Sequence, residues 1–154
     1  MNQKSFQWSS AGRSHVGMVR AINEDACLAL PERGLWAVAD GMGGHEAGDV
    51  ASQMLIEALQ QIAPPVEWTD FLEAVRESLR QVNRRLREES AQRYHNRTIG
   101  STVVVLIAQG TQCACLWVGD SRIYRLRNGQ LQQLTRDHSH VQELVDQGLI
   151  APED

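Results

Sequence analysis

The order of hydrophobic patterns along the chain constrains its fold more than any other feature. Short apolar runs at 27–30 and 35–39 flank the turn-forming segment Pro31-Glu32-Arg33-Gly34, which is typical of two short strands. Near-continuous apolar runs at 102–108 and 113–118 indicate strands that are covered on both faces. Two helical patterns lie between these groups. Strands, then helices, then strands predict an α+β fold with helices packed on largely antiparallel sheets.

Two amphipathic helices are predicted in the middle of the chain. The first begins near Ala47 and stops at Pro64-Pro65, with apolar residues at 50, 51, 54, 55, 58, 59 and 62. In the second, Asp70 and Glu73 resemble a capping box ahead of an apolar stripe from Phe71 to Leu86. The other face of this helix mixes arginine with glutamate. A solvated face with paired charges is the favoured interpretation, and a phosphate-binding patch is the alternative.

Local signals also predict a hairpin and a short helix in the last part of the chain. Asn128-Gly129, between 121–127 and 130–135, indicates a tight β-hairpin. A short helix is expected from about residue 139 to 147, ending at Gly148.

Charge and composition exclude several classes of function. The 154 residues carry a formal net charge of −4, which argues against nucleic acid and against an anionic membrane surface as partners. No apolar run is long enough for a membrane span, and the first residues lack the apolar region of a secretory signal. The three cysteines, Cys27, Cys113 and Cys115, are expected to be buried thiols, so a cytoplasmic protein is expected.

The segment Asp40-Gly41-Met42-Gly43-Gly44-His45 follows an apolar strand and is unusual chemically. A carboxylate at the end of a buried strand is costly unless donors or a cation compensate, and glycines let backbone approach a ligand. A tight turn whose Asp caps the next helix is the simpler alternative. Neither nucleotide motif fits, because Glu46 occupies the last glycine position of GxGxxG, and the only lysine is Lys4.

Two further acidic clusters occur at strand ends. Asn23-Glu24-Asp25 precedes the first strand, and Asp120 follows the run at 113–118. If these strands are neighbours, their carboxylates can converge, and such hard oxygen ligands favour Mg²⁺ or Mn²⁺ over zinc. Two ions that share a carboxylate can activate a bridging water for attack at phosphorus. Arg20 is the candidate residue to bind the phosphate through bidentate hydrogen bonds.

Four motifs in order resemble one family. Residues 17–25 (GMVRAINED), 38–45 (VADGMGGH), 100–102 (GST) and 119–122 (GDSR) are similar to the bacterial form of the metal-dependent serine/threonine protein phosphatases of the protein phosphatase 2C (PPM) type. The resemblance implies a β-sandwich of mainly antiparallel sheets flanked by helices on both sides, a four-layer αββα arrangement. Residues 1–154 would be the N-terminal part of a single domain of this type, about two-thirds of it.

The resemblance also implies roles for individual residues. Asp40 would bridge two Mn²⁺ or Mg²⁺ ions, and the carbonyl of Gly41 would coordinate one of them. Glu24 and Asp25 would lie at the ions, with Asp25 the more direct ligand. Arg20 would bind the substrate phosphate, and Asp120 would help to hold a third, weaker ion.

Two departures from the family pattern concern catalysis. Many eukaryotic members have His directly after Asp-Gly as a proposed general acid. Met42 stands there in this chain, as in bacterial relatives, so the proton must come from elsewhere, with water as one source. His45 is a candidate acid, but a helix cap or a plain surface histidine is the favoured interpretation of it. Family domains also supply two further aspartates from a last third that is not in this sequence, so activity of these 154 residues alone is expected to be impaired.

The resulting functional expectation is hydrolysis of phosphoserine and phosphothreonine in proteins by a metal-bridging hydroxide, in opposition to a serine/threonine kinase. A non-catalytic regulatory module that binds a kinase or phosphopeptide is the alternative. A metal nuclease is disfavoured by the negative charge. The oligomeric state is left open by the sequence.

Overall fold

A computed structural model describes residues 6–43, 47–63, 67–93 and 98–138. Within these ranges the chain forms nine regular elements: β1 (Asp25–Leu30), β2 (Leu35–Met42), α1 (Ala47–Gln60), α2 (Trp68–Arg93), β3 (Gly100–Ser101), β4 (Val103–Gln109), β5 (Gln112–Val118), β6 (Tyr124–Arg127) and β7 (Gln130–Gln133). A 3₁₀ turn, Pro31–Arg33, joins β1 to β2 and ends at Gly34 with a φ of 65°. The predicted order of strands, helices and strands is therefore confirmed.

The main sheet is antiparallel, with strand order β1-β2-β4-β5 and with β3 paired to β2. Alternate side chains of each strand point to one face, which meets the helices. This face and the apolar stripes of α1 and α2 form one core, whose largest fully buried side chains include Phe71, Leu35, Leu59 and Ile107. The packing of the sheet against the helices thus fixes the positions of the ends of β1, β2 and β5 relative to one another.

The opposite face of the sheet is incompletely covered in the described residues. The β6–β7 hairpin turns through Asn128 and Gly129, both with positive φ, as the Asn-Gly signal predicts. Ile123 and Tyr124, at its start, line a cavity of about 310 Å³ above this face. The described chain therefore contributes a helical layer, the main sheet and a hairpin beyond it, which confirms the α+β class.

The predicted burial of the cysteine thiols is wrong for the described residues. Cys27 and Cys113 are exposed and Cys115 is half-buried, and all three are free thiols. The reason is their position, since Cys113 and Cys115 lie opposite Ala108 and Leu106 on the sheet face away from the helices. Burial raises the pKa of the Cys115 thiol, with a smaller contribution from Cys113.

One predicted boundary is also corrected. Helix α2 begins at Trp68, so Asp70 lies inside its first turn and the predicted capping box is wrong. Glu73 instead accepts a hydrogen bond from Arg80 at 2.9 Å, and Glu77 accepts one from Arg84 at 2.8 Å. These pairs confirm that the arginine-rich face is a solvated face of paired charges.

Pro64-Pro65 and the predicted helix at 139–147 lie outside the described residues. Among the helices that the structure describes, neither is long and apolar enough to cross a membrane.

Candidate metal centre

Asp25 and Asp40 lie directly opposite each other in the β1–β2 pair. Partners in an antiparallel pair place their side chains on the same face, so the register brings both carboxyl groups together. The charge of Asp25 and its closeness to Asp40 both help to raise the pKa of the Asp40 carboxyl group. The predicted convergence of these two residues is thus confirmed.

The electrostatics of Asp40 show that other acidic side chains are near. Partial burial raises the pKa of Asp40, and the charges of Asp25, Asp120 and Glu24 raise it further. In the part of the chain that the structure describes, no arginine or histidine forms an ion pair with Asp25, Asp40 or Asp120. Among the described residues the three aspartates therefore have no neutralising side chain, whereas Glu24 is paired with Arg20, and a bound cation would relieve the repulsion that remains.

Strand β2 continues further than the sequence predicts. The expected strand ended at Ala39, but β2 includes Asp40, Gly41 and Met42 because the short strand β3 pairs with its last two residues. The amide of Thr102 donates a hydrogen bond to the carbonyl of Asp40 at 2.9 Å. Asp40 is consequently held by the sheet on both sides, and not by a flexible turn.

Glycines let helix α1 approach this end of β2. The Gly41 amide donates a hydrogen bond to the Glu24 carbonyl at 3.0 Å. A Cβ on Gly41 would overlap the backbone of Gly48, and a Cβ on Gly48 would overlap the carboxylate of Glu24. The two backbones and the Glu24 side chain are therefore packed with no space for a methyl group between them.

Arg20 and Glu24 form an ion pair beside the aspartates. Arg20 Nη1 donates to Glu24 Oε2 at 3.1 Å, and the arginine side chain is 74% exposed whereas that of the glutamate is 19% exposed. Asn23 Oδ1 accepts a hydrogen bond from the Asp25 amide at 3.0 Å and so fixes the start of β1. The guanidinium is thus tethered near the carboxyl cluster while most of its surface faces solvent.

Asp120 reaches the cluster from the loop after β5. Gly119 has a φ of 100°, a conformation that favours glycine, and its carbonyl accepts a hydrogen bond from the His138 amide at 2.9 Å. Ser121 Oγ lies 2.5 Å from Thr102 Oγ1. These bonds fix the loop on both sides of Asp120.

The donor set fits a hard divalent cation, because it consists of carboxylate oxygens and nearby backbone carbonyls. Among residues 6–43, 47–63, 67–93 and 98–138, no group of three or more Asp, Glu, His or Cys residues is arranged to hold a metal ion by itself. The described residues therefore provide the Asp25–Asp40 pair with Glu24 and Asp120 around it, and further ligands would have to complete the coordination. His45 lies outside the described residues.

Sequence reasoning missed the roles of Thr102 and Gly48. Thr102 belongs to a recognised motif, but only the structure shows that it contacts both Asp40 and Ser121. Gly48 gave no signal beyond being a small residue at the start of a helix, and its packing against Glu24 depends on the tertiary structure.

Comparisons with known proteins identify the family of this chain. The family model described as Protein phosphatase 2C matches residues 11–147. The serine/threonine protein phosphatase PstP of Mycobacterium tuberculosis is 40% identical over 144 residues, which cover 94% of this chain and 28% of that protein. The serine/threonine phosphatase stp of Listeria welshimeri is 37% identical over 151 residues, with 92% of this chain and 59% of the relative covered. The chain thus spans 28% to 59% of the length of these relatives.

Solved structures show the same fold. PppA, described as a key regulatory component of T6SS in Pseudomonas aeruginosa, matches with a TM-score of 0.83 at 50% identity, over 88% of this chain and 59% of that one. The catalytic domain of PstP in complex with two manganese ions matches with a TM-score of 0.77 at 40% identity, over 91% of this chain and 60% of that one. From the match of its sequence and of its fold, the chain belongs to the protein phosphatase 2C family.

Proposed function

We propose that the protein to which this chain belongs is a serine/threonine protein phosphatase that depends on Mn²⁺ or Mg²⁺. The observation that carries this proposal is the Asp25–Asp40 pair, in which the strand register sets two carboxyl groups directly opposite each other and the charges of Asp120 and Glu24 raise the pKa of Asp40 further. Such crowding opposes folding unless cations bind. The family membership and the manganese ions in the PstP structure support the choice of ion.

We assign the ion-holding role to Asp40 and Asp25, with Glu24 and the Gly41 carbonyl beside them. Divalent ions bound there would lower the pKa of a bound water towards neutrality, so that it can act as a nucleophile, and would neutralise negative charge on the phosphate. From the family resemblance we also propose that Asp120 helps to hold a third, weaker ion; its charge raises the pKa of Asp40, which is consistent with a position near the other carboxyl groups. No cysteine nucleophile is needed for this chemistry.

Arg20 is the residue proposed to bind the phosphate. Its guanidinium is mostly exposed and is held by Glu24, so it can orient a phosphate beside the carboxyl cluster with its remaining donors. Met42 occupies the position of the histidine found in many eukaryotic members and cannot donate a proton, so we propose that water protonates the leaving alkoxide.

Phosphorylated proteins are the proposed substrates. The phosphate groups removed are proposed to be those that a serine/threonine kinase adds. The relatives PstP and stp are serine/threonine phosphatases, which supports phosphoserine and phosphothreonine as the reacting groups. A cytoplasmic location stays a prediction from the sequence.

The test is Asp40→Asn in the full-length protein, with release of phosphate from a phosphopeptide measured in Mn²⁺. We expect loss of all metal-dependent turnover, because the variant removes the negative charge of Asp40, which is proposed to hold both ions. Asp70→Asn, an exposed aspartate in the first turn of α2, is the matched control and should retain wild-type turnover. Unchanged turnover in Asp40→Asn would contradict the proposed centre.

The alternative is a non-catalytic module that binds a kinase or phosphopeptide. It is favoured by the absence of a three-ligand cage among the described residues. A full-length protein that binds phosphopeptide but releases no phosphate in Mn²⁺ would support this alternative.

A further inference from the structure

Thr102 lies opposite Asp40 where the ladder between β2 and the β3–β4 segment is irregular. The Thr102 amide donates to the Asp40 carbonyl at 2.9 Å, as in a regular antiparallel pair. The Asp40 amide, however, donates to the side-chain hydroxyl of Thr102 at 3.3 Å. The Thr102 carbonyl instead accepts a hydrogen bond from Ser101 Oγ at 2.7 Å. A hydroxyl thus replaces a backbone carbonyl as the acceptor at the central aspartate.

The same hydroxyl reaches the loop that carries Asp120. Thr102 Oγ1 lies 2.5 Å from Ser121 Oγ, the residue directly after Asp120. On the other side of Asp120, a Cβ on Gly119 would lie 2.7 Å from Thr102 Cγ2, so the Gly119 backbone packs closely on the Thr102 side chain. The threonine therefore contacts the residues before and after Asp120 as well as Asp40.

We propose that Thr102 is a positioning residue that fixes the separation of Asp40 and Asp120 through its hydroxyl group. This inference rests on the proposed function, since it concerns the affinity of the same centre for its ions. The hydroxyl can accept from the Asp40 amide and at the same time bond to Ser121, because a threonine hydroxyl has one donor and two acceptor sites. Valine has nearly the same shape but can make neither bond.

The effect expected is on metal affinity. Groups that orient metal ligands typically change affinity or activity by about 10- to 100-fold when they are removed. Thr102→Val leaves the Asp40 amide without its acceptor and disconnects the Asp120 loop, so an increase of this size in the Kd for Mn²⁺ is expected. Thr102→Ser keeps the hydroxyl and should bind Mn²⁺ with a Kd close to that of the wild type.

The experiment titrates the full-length protein and its variants with Mn²⁺ and measures the free ion by electron paramagnetic resonance. Phosphopeptide turnover is then measured over the same range of Mn²⁺ concentration. Thr102→Val should need more Mn²⁺ for half-maximal turnover and should recover most of its kcat at saturating Mn²⁺. Ser121→Ala, which removes only the bond to the Asp120 loop, should shift the Kd in the same direction by less.

Wild-type Kd values for Mn²⁺ in both Thr102→Val and Ser121→Ala would overturn this inference while leaving the centre intact. If Thr102→Val fails to fold, judged from its urea unfolding curve, Ser121→Ala decides the question, and a wild-type Kd in that variant overturns the coupling. Failure of the proposed function has a different result: Asp40→Asn would then bind Mn²⁺ as tightly as the wild type, or the wild type would not bind it.

Discussion

Replacing Gly48 with alanine tests the packing of α1 against the carboxyl cluster. Gly48 is buried at the start of α1. An added Cβ would lie 2.8 Å from the Glu24 carboxyl carbon and 3.0 Å from the Gly41 carbonyl carbon. Carbon atoms in favourable contact are about 3.5–4.0 Å apart, so the methyl group must displace Glu24, the end of β2 or the helix itself.

The sign of the stability change follows from two opposing contributions. Alanine is favoured over glycine by up to about 1 kcal/mol in a helix interior, and by less near a helix end. Forcing a methyl group into a packed site costs about 1–3 kcal/mol. We therefore expect Gly48→Ala to lower the free energy of unfolding by about 1–2 kcal/mol, which moves the urea midpoint down by roughly 0.5–1 M if the slope is about 2 kcal/mol/M.

Urea unfolding in EDTA and a Mn²⁺ titration together form the assay. Gly100→Ala is the matched control, because no atom of the described residues lies within 4 Å of a Cβ added to Gly100 and its φ is not positive. The control should change the free energy of unfolding by less than about 1 kcal/mol. If Glu24 rotates away to accommodate the methyl group, the loss will appear mainly as weaker Mn²⁺ binding. A Gly48→Ala protein with wild-type stability and wild-type Mn²⁺ affinity would refute the close packing of α1 on this site.

Two further predictions concern pH. In EDTA, the wild-type protein should gain stability relative to Asp40→Asn as the pH falls through the raised pKa of Asp40 towards about 4. The physical reason is that burial and the neighbouring charges make the folded state bind this proton more tightly than the unfolded state. A constant difference between the two urea midpoints from pH 8 to pH 4 would contradict it. Asp137 has the opposite sign, because its bidentate hydrogen bonds to Arg122 lower the pKa of Asp137. Asp137→Asn should therefore unfold at lower urea than the wild type at pH 7, and this gap should close below about pH 4, as the wild-type carboxylate is protonated. A gap of the same size at pH 7 and pH 2 would show that the loss comes from something other than the ion pair.

The sequence by itself determined the local elements and the identity of the acidic residues. Helix α1 and the β6–β7 hairpin follow from short-range causes, namely the helical period of the apolar residues and the positive φ that Asn128-Gly129 adopts readily. The family motifs also identified Asp25 and Asp40, which the β1–β2 register then brought together.

The tertiary structure decided how far β2 extends and what surrounds Asp40. Pairing with β3 carries β2 through Asp40 to Met42, a result that local propensity cannot give because Gly41 and Gly43 oppose a strand. The same holds for the cysteines, whose exposure depends on which face of the sheet the helices cover. Asp40 and Thr102 are 62 positions apart in sequence, and their contact exists only because the sheet register places them opposite each other. The distance between residues that are far apart in sequence depends on how whole strands and helices pack together. This packing therefore sets the charges that surround the carboxyl groups.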